Sequence, residues 1–130
     1  MKNLKKLGRG TGALALVAAL LVDSALTAPP RDVSKFMKAK TVHAQEVLKG
    51  LVTEDFPAVA KNAEQLRLLS LDANWQVLQT EEYGRLSGEF RRAASELIEA
   101  ADAKNVDAAT LAYLQLTISC VHCHKHLRKQ

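Results

Sequence analysis

Residues 80–101 read TEEYGRLSGEFRRAASELIEAA, and the spacing within this stretch decides the fold. Tyr83, Leu86, Phe90, Ala93, Ala94, Leu97 and Ala101 recur at steps of three and four, the period of one helix face. Thr80 stands just ahead of them, where a hydroxyl can accept a hydrogen bond from a free backbone N–H. Glu81 and Glu82 follow, placing negative charge at the positive end of the helix dipole. Gly84 and Gly88 weaken the helix, but they also leave room for another helix or a flat ligand to approach.

The same period extends outward in both directions. Upstream, residues 71–79 are less regular, and Trp75, Val77 and Leu78 mark them as a packed connection with Trp75 as its anchor. A second helix is predicted to start near Thr53, capped within Thr53-Glu54-Asp55, with Pro57 tolerated in its first turn. Its stripe is Phe56, Val59, Ala60, Ala63, Leu66, Leu69 and Ala73. A first helix runs from about Asp32 to Gly50, with Val33, Phe36, Met37, Lys40, Ala44, Val47 and Leu51 near one face and Gly50 as its stop signal. Downstream, Lys104-Asn105 reads as a turn and Asp107 as the cap of a fourth helix. Ala108, Leu111, Leu114, Ile118 and Val121 are the stripe expected to face its core. No strand-like alternation interrupts this pattern. Four helices with short connections predict an all-α, antiparallel four-helix bundle.

The first 28 residues read differently. Lys2, Lys5, Lys6 and Arg9 precede an unbroken apolar run from Ala13 to Val22, and small residues follow at Ser24, Ala25, Thr27 and Ala28. This is the plan of a secretory signal peptide, so 1–28 is expected to be an export leader and 29–130 the folded domain. The apolar run is short for a membrane span and Asp23 closes it, so no stable span is expected after processing. An uncleaved N-terminal anchor is the alternative. The formal charge of +4 belongs largely to the leader: from residue 29 onward 14 basic residues face 13 acidic ones, a net +1. That balance argues against a nucleic-acid footprint, and Arg91-Arg92 sits among Glu89, Glu96 and Glu99 as a solvated face.

The fourth helix leads into Cys120-Val121-His122-Cys123-His124, the C-x-x-C-H pattern that attaches a c-type haem. The thiols add across two haem vinyl groups as thioethers, and His124 follows as the proximal iron ligand. Cys120 and Cys123 are the only cysteines of the chain. Haem is joined to such motifs outside the cytoplasm, so leader and motif support one another and predict a periplasmic location. A zinc cluster built from Cys120, Cys123, His43, His122 and His126 would leave the Cys-Cys-His order unexplained. A redox-active C-x-x-C belongs to strand–helix units, which this chain lacks. No Ser/His/Asp or paired-carboxylate arrangement stands out, which argues against an enzyme. Met37 carries a soft thioether that can serve iron as a sixth ligand, or it is an ordinary core methionine on the apolar face. His43 is its rival, and an open site is the third possibility; at a six-residue offset Met37 and His43 cannot both face one iron.

A haem motif on the last helix of an exported four-helix chain resembles the cytochrome c′ family and its low-spin relatives. The specific part is Cys120 to Arg128; architecture carries the rest, from Arg31 to Lys129. The resemblance implies that Arg128 lies near the proximal imidazole and the haem propionates, and Leu127 stands where the family usually has an aromatic residue. It also implies that the first helix supplies the distal side chain, in a setting like Phe36-Met37-Lys38. The expected function is one-electron transfer between exported redox partner proteins, with a single covalent haem c. The alternative is a five-coordinate haem that binds or senses a diatomic gas. Homodimers are common in that family.

Overall fold

Side-chain caps and two left-handed turns cut the chain into four helices: α1 (Val33–Val52), α2 (Phe56–Leu69), α3 (Glu81–Asp102) and α4 (Val106–Leu127). The computed structural model describes residues 33–72 and 75–130, and no strand occurs among them. The signal peptide read over 1–28, together with Asp32 and Ala73, lies outside the described residues.

Each helix packs extensively on its successor, whereas α1 and α4 touch only lightly. The order is antiparallel. Tyr113 of α4 donates its hydroxyl to the carbonyl of Ala44 in α1 at 3.1 Å, and Met37 lies level with His124, so numbering runs in opposite directions along the pair. The main core joins Val47 and Leu51 of α1, Val59, Ala63 and Leu66 of α2, Phe90, Ala93, Ala94, Leu97 and Ala101 of α3, and Ala109, Ala112 and Leu116 of α4. A second cluster gathers Trp75, Tyr83, Leu86 and Cys123, with Phe36, Met37 and Leu127 packed against it.

The two short connections share one geometry. Asp55 N–H donates to the Gly50 carbonyl at 2.8 Å and Glu54 N–H to Leu51 at 3.3 Å; Asn105 and Lys104 repeat this toward Ala100 and Ala101 at 3.0 and 2.9 Å. Such paired bonds close a helix end through one left-handed residue, here Glu54 and Lys104, both at φ 53°. The next residue then caps the following helix. Asp55 Oδ1 accepts from Ala58 N at 3.1 Å, and Asn105 Oδ1 from Ala108 N at 3.0 Å.

Several sequence expectations change here. Gly50 does not stop α1, which continues to Val52. A Cβ at position 50 would lie 2.8 Å from Val59 Cγ2, so this glycine lets α1 and α2 approach closely. Thr53 bonds back to the Lys49 carbonyl, leaving the α2 cap to Asp55, and Asn105 rather than Asp107 caps α4. No helix approaches the α3 glycines: a Cβ at Gly84 meets open space, and one at Gly88 meets only the end of the Arg91 side chain at 4.0 Å. The largest correction concerns α4, where Leu111, Leu114, Ile118 and Val121 are exposed, Leu111 by 67%. The buried face is Ala109, Ala112, Leu116, Ser119 and Cys123. Its smaller side chains share the main core with Ala93, Ala94 and Leu97 of α3, all fully buried. The α3 face is as predicted, with Ser87 added.

Candidate functional site

Light contact between α1 and α4 leaves a seam, and a cavity of about 200 Å³ occupies it. Met37, Lys40, Thr41 and Ala44 line it from α1, and Ser119, Cys120, Cys123 and His124 from α4. Leu66, Trp75, Phe90 and Leu116 complete a largely apolar wall. A smaller hollow of about 70 Å³ lies alongside, lined in part by Val33, Val77, Tyr83 and Leu127. Met37, Trp75, Cys123 and His124 border both spaces.

Helical spacing puts the α4 side chains there. Cys120 and Cys123 are three residues apart and share a face. Both are free thiols, Cys123 buried and Cys120 partly so. Burial pushes both thiols above their ordinary range, and the Lys40 charge pulls against that. His124 borders the cavity while remaining exposed. Its carbonyl accepts the N–H of Arg128, which is exposed past the end of α4 and does not line the cavity.

Trp75 holds the inner wall. Its Nε1 donates to Ser87 Oγ at 2.9 Å, and its carbonyl accepts the Tyr83 hydroxyl. Its ring packs against Phe36, Tyr83 and Phe90 at centroid distances of 6.1, 6.2 and 5.7 Å. The connection between α2 and α3 is therefore anchored as expected, and it also forms part of the site.

Lys40 is the feature that sequence reasoning placed on the apolar stripe without giving it a role. It is 7% exposed, and its Nζ has no hydrogen-bond partner. The nitrogen sits 3.5 Å from the Trp75 ring centroid and 3.4 Å from that of Phe90. Two ring faces return about 2 kcal/mol or more to a desolvated cation. Removing an ion from water costs several kcal/mol, so desolvation wins. The pKa accordingly falls from 10.5 to about 7, burial being the main cause and the two cysteine sulfurs opposing it. A lysine within an otherwise apolar helical stripe was the available signal.

The other histidines are elsewhere. His43 pairs with Asn62 at 2.9 Å, tying α1 to α2, and does not line the cavity. His122 and His126 line a separate surface hollow with Glu82, Arg85, Lys125 and Lys129. Among the described residues no three His, Cys, Asp or Glu side chains converge to hold a metal ion. No helix among them is long and apolar enough to cross a membrane.

The donor set fits a c-type haem: two free thiols and an imidazole on one wall, a thioether on the facing wall, apolar surroundings, and one orphaned amine. Comparison of the chain with protein-family models, with characterised proteins and with solved structures found no significant match.

Proposed function

We propose that the chain is a monohaem c-type cytochrome similar to the cytochrome c′ family, exported to the periplasm and carrying single electrons between exported redox partner proteins. The observation that carries this reading is the meeting of Cys120, Cys123 and His124 with Met37 across one apolar cavity. Cys120 and Cys123 each offer a thiol for a thioether bond to the haem edge. His124 offers an imidazole from α4, and Met37 a soft thioether from α1 that favours reduced iron. Haem supplies the one-electron redox chemistry when bound. Leu66, Trp75, Phe90 and Leu116 give the site an apolar inner wall, which leaves less solvent beside it to reorganise when its charge changes. Arg128 is the basic residue that the resemblance puts near the haem propionates. The leader read over 1–28 supports export, because c-type haem is attached outside the cytoplasm.

The test is the protein produced in a host competent for c-type haem attachment. A haem stain that survives a denaturing gel is expected, and Cys120→Ala with Cys123→Ala abolishes it. The reduced protein is expected to show a low-spin visible spectrum that carbon monoxide barely alters. A spectrum that shifts readily with the gas would point instead to an open distal face and gas binding. Absence of covalent haem would remove the reading altogether.

A further inference from the structure

The cavity presents a second donor that this reading leaves unused. Lys40 follows Met37 by three residues on α1, and both line the cavity that His124 borders. Side chains on a helix lean toward its N-terminus, so the long Lys40 stem reaches back over the turn that carries Met37. Its Nζ, five atoms beyond Cα, has the reach to make up the offset from the Met37 sulfur, three atoms beyond Cα. The nitrogen is buried, has no hydrogen-bond partner, and lies over two aromatic rings inside the cavity. A buried polar group is ordinarily satisfied, and Lys40 finds nothing of the kind among protein atoms.

We propose that Lys40 supplies its amine to the iron in the oxidised protein, where Met37 serves the reduced one. The inference rests on the haem reading above. A nitrogen donor suits the harder, oxidised metal, and a thioether the softer, reduced one. On oxidation, with the electron passing to the redox partner, the Met37 sulfur–iron bond would break and the Lys40 nitrogen lone pair would bond the iron, any ammonium proton leaving to solvent; on reduction the exchange would reverse. Burial already favours the neutral amine.

The experiment uses the haem-loaded protein and compares oxidised spectra of the parent, Lys40→Leu and Lys40→Arg. The parent is expected to be low-spin and to lack the sulfur-to-iron charge-transfer band. Lys40→Leu loses that state, gaining the sulfur band or turning high-spin. Lys40→Arg keeps the positive charge and the ring contacts but cannot ligate, so it behaves like Lys40→Leu. The inference is overturned if the oxidised parent already shows the sulfur band or a high-spin spectrum, or if Lys40→Arg retains the parent spectrum. A variant that fails to fold does not shield it, because the parent spectrum alone can overturn it. A denaturing gel separates the two failures: covalent haem with the wrong oxidised spectrum sinks only the lysine, and no covalent haem sinks both.

Discussion

Lys40 concentrates the unusual physics of this chain in one side chain. In the unfolded chain its amine titrates near 10.5, and in the folded cavity near 7. Between those values the unfolded state binds more protons than the folded one, so stability rises with pH across the window and is lowest below it. For haem-free protein, the melting temperature of the parent relative to Lys40→Met is expected to climb from about pH 6 to about pH 8.5, on the order of several degrees. A difference that stays flat across that range would show that the amine is better solvated than its burial indicates. The upper limit stays clear of the Cys120 and Cys123 thiols, which burial holds above 9.0. Trp75 and Phe90 help make this position tolerable, their faces compensating the cation alongside the Cys120 and Cys123 sulfurs.

The helices differ in how plainly they declare their inner face. In α3 the apolar residues alternate with Arg85, Glu89, Arg92 and Glu96, and the charged side could only be the outer one. In α4 no charged residue occurs from Ala108 to His122, so two apolar stripes competed and periodicity could not choose between them. Packing chose the stripe with smaller side chains, because alanines admit a close approach to α3 that leucines would block. Truncation separates the two faces: Leu116→Ala should cost about 2–5 kcal/mol in urea denaturation. Leu111→Ala should stay within about 0.5 kcal/mol, as at an ordinary surface position. Equal costs would contradict this orientation of α4. The caps show a similar limit. Thr53, Glu54 and Asp55 are all plausible near a helix start, and only the left-handed turn at Glu54 decides that Asp55 does the capping.

At the scale of the whole molecule, the bundle and the motif were legible in sequence because each depends on local spacing, whereas Met37 on the facing helix was an expectation of the family resemblance. The Lys40–Trp75–Phe90 arrangement was not, because it brings together α1, the connection after α2, and α3 through packing alone. The uneven helix contacts also carry a dynamic expectation. Amides of residues 33–44 should exchange with solvent faster than those of α3 residues 90–101, which the main core encloses. Attaching haem should slow the first group on the order of tenfold and change the second little, as hydrogen exchange read by mass spectrometry would show. Uniform protection would mean that α1 is held as firmly as α3. Both candidate anchoring thiols belong to α4, while α1 contributes only side chains that can let go. Custody of the group and admission to it would then rest with different helices, so substitutions on α1 would alter access to the site without loosening the anchor on α4.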